Sequence, residues 1–424
     1  MRKLFVLIVL FAVAVAGIHA GGNQETNDQG DPGSIDLRFT LWSANAAHLE
    51  MLNGFADAYR EENPNVTVTF ETLPFSEYTS LLTLQLAGSN PPDGGWLLEG
   101  TGPTFVQSGV LADVRPYLES LPDYDYADFS PDAMSLWVEG DRTFAIPFST
   151  SPFVIFYNRD LFREAGARTP QELIASGDYT WTTFGESLRT VTSETGVYGF
   201  QGQNGQPYSS RIWHTLVPFL RAYGVDAWDD NGPNFDTPEA IAAASLYHQL
   251  IFDDETIVPP GERSDFFAGS AASTINQISR VPTVMEAGFD WDIAPLPGGP
   301  AGPAHVIGQA AMGVFNASRN REAAIDFLAF MTNQANVETM AQFFPPARQS
   351  VLEAGALAQQ NPNISPESIV YVEEGIQFGT VLPAHPRFPQ LDLSAQGAFD
   401  QLWQPDADVP QVMRSINETL SSFF

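Results

Sequence analysis

The chain has 424 residues, 44% of them hydrophobic, more than one ordinary core holds and apolar enough to pack into lobes. Its 19 Lys plus Arg stand against 51 Asp plus Glu, and the net charge of -32 excludes the basic surface that nucleic acid requires. With no cysteine, disulfides, thiolate metal sites, a cysteine nucleophile and an acylated lipoprotein terminus are excluded as well.

Arg2 and Lys3 precede an apolar run from Leu4 to Ile18, the pattern of a cleavable secretory signal over residues 1–20. The run is shorter than the roughly 20 residues that span a bilayer, and no later segment is long and apolar enough. Residues 21–34, rich in Gly, Asn, Gln and Asp, read as a flexible tether. The expected location is periplasmic or extracellular.

Ile35–Leu41 alternates and ends in Trp42, a first strand. Leu49, Leu52, Phe55 and Tyr59 recur at helical spacing before the stop at Asn63-Pro64. Val66–Glu71 alternates as a second strand, Phe75–Ala87 is helical, and Trp96–Leu98 is a short buried strand. Strand–helix–strand–helix–strand at this pitch predicts a parallel sheet covered by helices. Phe144–Pro147 and Phe153–Tyr157 then form two β-like runs joined through Ser149, Thr150, Ser151 and Pro152. Thr180 opens a helix that carries Trp181, a residue read as structural. Ile212–Tyr223 reads as an amphipathic helix with Trp213 on it. Thr237-Pro238-Glu239 supplies an N-cap, a first-turn proline and an early acid for a helix to Phe252. Trp291–Pro297 is a short strand, Glu322–Thr332 a helix, and Phe343-Phe344-Pro345-Pro346 a break.

Several segments in this order resemble the solute-binding proteins of carbohydrate ABC importers, extracellular family 1. They are Pro92-Asp93 with Trp96–Pro103 and Ser108–Asp113, Ala145–Phe148 with Phe156–Phe162, Thr180-Trp181, Phe267–Ala272, Asp292–Pro297, Ala323–Leu328 and Pro345–Val351. Each is weak alone, and together in register they cover nearly everything after the leader. Ser273 departs from the family's usual Met. Asp93-Gly94-Gly95 is richer in glycine than usual, which suits a close approach of the backbone. The resemblance implies a periplasmic-binding-protein-like α/β fold: two lobes joined by three crossover segments, with a ligand cleft between them. The implied lobes are 35–147 plus 292–343 and 148–291 plus 344–424, with crossings near Ala145–Ser151, Asp290–Pro297 and Phe343–Ala347. It implies capture of a mono- or oligosaccharide by hinge closure and delivery to ABC transporter permease subunits, by a monomer without cofactor or metal.

A sugar has hydroxyl edges and apolar C–H faces, so its site needs aromatic platforms and groups that bond hydroxyl pairs. Trp42, Ser43 and Asn45 follow the first strand, at the carboxyl edge where open α/β sheets bind ligands. Glu99 ends the third strand, Tyr78 lies in the helix between, and Ser149 and Thr150 sit on the first crossover. Trp213, Trp291 and Arg348 complete the expected set, each with a packing or ion-pair role as its plain alternative. No G-x-S-x-G or H-E-x-x-H sequence occurs, so an exported glycan-cleaving enzyme is the weaker reading. The acidic composition keeps a cationic or osmolyte solute, such as a polyamine, in competition with a sugar.

Overall fold

The computed structural model describes residues 33–202 and 211–424. The expected signal, and the tether up to residue 32, lie outside the described residues. Within them no helix is long and apolar enough to cross a membrane.

The first sheet starts as the alternation predicts. β1 (Ile35–Leu41), α1 (Ala46–Glu62), β2 (Val66–Thr72), α2 (Tyr78–Ala87) and β3 (Gly94–Leu98) follow one another, and β1 pairs in parallel with both β2 and β3. In α1 the buried residues His48, Leu52, Phe55 and Tyr59 form one stripe against this sheet. Gly94 is required where β1, β3 and a later strand converge. A Cβ there would collide with the Phe39 ring and lie 2.8 Å from the Gly313 carbonyl oxygen.

A small ribbon of β4 (Val138–Glu139) and β5 (Arg142–Thr143) leads into β6 (Ala145–Pro152) and β7 (Val154–Asn158). A second ribbon pairs β8 (Trp228–Asp229) with β9 (Gly232–Pro233). β10 (Ser273–Asn276) and β11 (Trp291–Ala294) both pair antiparallel with β7, making a second, three-stranded sheet. β12 (Val306–Val314) rejoins the first sheet, antiparallel to β3 on one edge and β6 on the other, and β13 (Thr380–Val381) adds a short parallel pair.

Two hydrophobic cores result. Leu37, Phe39, Leu41, Leu97, Ile146, Met312 and Phe327 belong to the first. On the second sheet Ile155 and Tyr157 face the second core, with Trp181, Phe184, Phe219 and Tyr247 from the helices Trp181–Thr195, Val217–Ala222 and Pro238–Phe252. The alternate residues Val154 and Phe156 turn to the first core, so β7 is apolar on both faces. Thr180 and Thr237 cap their helices as expected, accepting from Thr183 N–H and Ala240 N–H. Trp181 is buried and stacked on Phe219 with ring centroids 3.8 Å apart, a structural residue as read. The segment read as an amphipathic helix at Ile212–Tyr223 is instead a π-helical turn, Arg211–Leu216, running into an α-helix. Nearly all of it is buried, Pro218 included.

The chain first passes between the two sheets from β6 to β7. The return does not occur at 292: β11 is held in the second sheet by β7, and Leu296, Ala304 and Val306 still pack in the second core. The chain re-enters the first sheet only with β12. Arg348 is still bound within the first lobe, whereas the helix Pro366–Phe378 already meets β11, where Ser368 Oγ donates to Asp292 Oδ1 at 2.8 Å. After β13, Leu382, Leu391 and Phe399 lie in the second core. Proline pairs and short strands mark breaks in a sequence, and only the packing shows on which side of the hinge the next segment settles.

Candidate functional site

Between the two sheets' loops lies a cavity of about 430 Å³, a size suited to small ligands. Its first wall is made by the segments that follow β1 and β3, the carboxyl edge of the parallel strands. Trp42 stands edge-on to Trp96, Tyr78 and Phe75 at centroid distances of 4.9, 5.1 and 6.0 Å. Trp96 in turn packs on Phe148 at 4.7 Å and Phe344 at 5.7 Å. These rings give the cleft an apolar wall whose polar rim is Ser43, Asn45, Glu99 and Ser149.

A bulge explains how consecutive residues of one strand reach the same cavity. Ala310 and Ala311 of β12 face Ser149 and Pro147 of β6, leaving Phe148 with no opposite residue. Phe148 and Ser149 therefore both line the cleft.

Asn45 caps α1, its Oδ1 accepting from the N–H groups of Ala47 at 2.9 Å and His48 at 3.3 Å. His48 bridges the lobes. Its Nε2 lies 3.2 Å from the Ser279 carbonyl oxygen across the cleft, and its Nδ1 lies 2.8 Å from Ser43 Oγ. Because a carbonyl only accepts, Nε2 carries the proton and Nδ1 accepts from the serine hydroxyl. Burial holds the imidazole down at about 4, so it is neutral near pH 7.

Glu99 is 6% exposed. Its Oε2 accepts from Gln309 N–H of β12 at 3.0 Å, while the Gln309 side chain is fixed by Trp137 Nε1 at 2.7 Å and the Ala133 carbonyl at 2.9 Å. Burial, outweighing that hydrogen bond, pushes the Glu99 carboxyl up to about 7. The facing wall is supplied by Phe153, His214, Asn276, Gln277, Arg280 and Thr283 of the second lobe. A smaller cavity of about 220 Å³ adjoins, sharing Phe75, Leu98, Glu99 and His214 and ending at Trp213, Phe388 and Asp392.

Of the expected residues, Trp42, Ser43, Asn45, Glu99 and Ser149 come together in the main cavity, and Trp213 lines the adjoining one with its Nε1 2.6 Å from Asp392 Oδ1. The other four do not reach it. Tyr78 is buried behind Trp42, its hydroxyl 3.0 Å from the Thr40 carbonyl and 2.9 Å from that of Trp96, so it supports the platform from the rear. Thr150 lies on the back of β6, its N–H donating to the Pro345 carbonyl at 2.7 Å. Trp291 packs on Phe156 with centroids 6.0 Å apart, away from the cleft. Arg348 is fully buried in the first lobe. It donates to the carbonyls of Thr332 at 2.9 Å, Asp125 at 3.0 Å and Tyr124 at 2.8 Å, and pairs with Asp128 at 3.2 Å. Its guanidinium also lies over Phe129 at 4.1 Å, and each of its three nitrogens donates within the first lobe.

The sequence reading passed over His48, Phe75, Phe148, Gln309, Phe344 and the second-lobe residues Asn276, Gln277 and Arg280. Asn276 ends β10 and Gln277 and Arg280 follow it, and the strand-end criterion that found Trp42 and Glu99 would have found them too. Phe148 and Phe344 carry no such signal, because a bulge puts the first there and long-range packing on Trp96 the second. No cluster of three or more His, Cys, Asp or Glu able to hold a metal exists among the described residues.

Comparison with known proteins agrees with this architecture. Residues 46–338 match the model of the bacterial extracellular solute-binding proteins. The maltotriose-binding protein of Pyrococcus abyssi is 23% identical over 393 residues, 88% of this chain and 79% of that one. Among solved structures, an ABC substrate-binding protein of Listeria monocytogenes in complex with cycloalternan superposes with a TM-score of 0.79 at 20% identity, covering 92% of this chain and 98% of that one. Maltose-bound MalE3 of T. maritima does so with 0.77 at 20% identity, covering 92% and 100%. With the family model spanning well over half of its length and the fold shared throughout, the chain belongs to the bacterial extracellular solute-binding protein family.

Proposed function

We propose that this protein is exported, captures a carbohydrate between its lobes, and hands it unaltered to the permease of an ABC importer. The observation that carries the reading is the composition of the cleft. Trp42, Trp96, Phe148 and Phe344 offer flat apolar surface, while Ser43, Asn45, Glu99, Asn276, Gln277 and Arg280 offer donors and acceptors around it. That combination suits a ring with C–H faces and hydroxyl edges. The names of the relatives support it: maltotriose, mannitol and diacetylchitobiose binding among similar sequences, cycloalternan and maltose among similar structures.

The charged run Arg2-Lys3 and the apolar stretch behind it support export through a cleaved signal. Passive capture is favoured over glycan cleavage because, among the described residues, Glu99 is the one carboxyl on the main cavity, and hydrolysis needs an opposed pair. Polyamine capture loses its appeal for the same reason: the cavity faces a cation with one carboxyl held near 7 and with an arginine.

A thermal-shift screen of mono- and oligosaccharides, polyols and polyamines tests the reading. A ligand at a hundredfold excess over Kd adds about 2.7 kcal/mol of stability, a rise of a few degrees. The reading requires that a sugar give this shift and be recovered intact. A response confined to polyamines, or recovery of cleaved sugar, contradicts it.

A further inference from the structure

Arg280 ends the turn Ile278–Arg280 and leads into the helix Val281–Met285 on the second-lobe wall of the cleft. Its guanidinium carbon sits 4.7 Å from the Phe267 ring centroid. Arg159, Arg221 and Arg348 each meet a carboxylate within salt-bridge distance, whereas Arg280 has no ion pair and no side-chain hydrogen bond among the described residues. Asp265 attracts it from farther off, with one carboxylate oxygen already accepting the Phe267 N–H at 2.9 Å. Burial lowers the guanidinium's pKa, yet an arginine keeps its charge.

The groups facing Arg280 from the other lobe do not neutralise it. His48 is held neutral, and Glu99 is largely protonated below pH 7. In a chain of net charge -32, the main cavity is thus a locally positive spot. The acids Glu77 and Asp392 line the adjoining cavity instead, on the side of Trp213.

We propose that the carbohydrate taken by this cleft carries an anionic group, a carboxylate or a phosphate, that pairs with Arg280 while its uncharged part extends toward Trp213. The proposal rests on the carbohydrate reading above. A guanidinium fork matches either oxyanion through two parallel donors, and a charge-assisted pair is stronger than bonds to neutral hydroxyls. A cation in the same place would meet Arg280 directly.

Isothermal titration of the mature chain with matched sugars decides it. One pair is digalacturonate against the neutral galactose disaccharide of the same linkage; the other is glucose 1-phosphate against methyl glucoside. The anionic member of at least one pair should bind about 10- to 100-fold more tightly. The pair that shows the preference identifies the oxyanion. Arg280→Gln should bring the two members to within about threefold, the anionic member losing far more affinity than the neutral one, and Arg280→Lys should keep part of the preference. Raising salt should weaken only the anionic member. Equal or tighter binding of the neutral member in both pairs overturns the proposal and leaves the carbohydrate reading intact, as does an equal loss for both members in Arg280→Gln. Failure of every sugar, charged or neutral, overturns both.

Discussion

Replacing Glu99 with Gln should stabilise the unliganded protein in alkali and scarcely change it in acid. The carboxyl is buried against β12 and titrates at about 7, against 4.5 when freed of its surroundings. Since the folded-state value is the raised one, the folded chain binds more protons across this window, and stability falls as pH rises through it. At about 1.36 kcal/mol per unit, ionised Glu99 costs roughly 2.5 kcal/mol more at pH 8 than at pH 5. Glutamine keeps an oxygen for the Gln309 N–H and cannot ionise. Urea titrations of both proteins at pH 5.0 and 8.0 should therefore show the variant gaining about 2.5 kcal/mol on the wild type between the two conditions. An identical difference at both pH values would refute the reasoning, since it would mean that the carboxylate keeps its water or a cation in the folded state.

His48 gives the opposite slope. Its folded-state value of about 4 lies below 6.5, so the stability tied to its neutral form is present above 6.5 and is lost as pH falls toward 4, up to about 3 kcal/mol. His214 behaves alike, so the comparison of wild type with His48→Gln in urea at pH 4.5 and 7.5 isolates the bridging residue. Arg348→Ala should cost about 3–5 kcal/mol in the same assay, because it strands Asp128 and three carbonyls, and should leave ligand affinity nearly unchanged. Trp42→Ala should weaken ligand binding by about 30-fold or more in calorimetry. Tyr78→Phe, behind the same ring, should cost about 1 kcal/mol of stability and little affinity.

The contrast between Trp42 and Tyr78 shows what the sequence could convey. Alternation in Ile35–Leu41 and helical spacing through Tyr59 placed β1 and α1 within a few residues, and the carboxyl-edge rule then put Trp42, Ser43, Asn45 and Glu99 on the cleft. Those signals are local. Tyr78 and Arg348 are polar residues near the expected site whose partners are backbone carbonyls, at Thr40 and Trp96 for one and at Tyr124, Asp125 and Thr332 for the other. Nothing in a linear chain announces such partners. Phe148 needed the bulge opposite Ala310–Ala311, and Phe344 needed the packing that seats it on Trp96 and Phe148. Both depend on contacts between segments more than 150 residues apart, which periodicity does not register.

Closure of the lobes on a solute is the claim on which the rest depends, and the absence of cysteine makes it directly measurable. Leu84 on α2 and Leu393 on the helix Phe388–Phe399 are 68% and 72% exposed, on elements that line opposite sides of the adjoining cavity. Cysteines at these two positions take spin labels without competition, and dipolar spectroscopy reads the distance between them. A saturating sugar that binds in calorimetry should collect the distribution into its shorter component, with the sugar recovered intact afterwards. A distribution that is the same with and without the bound sugar would contradict the account.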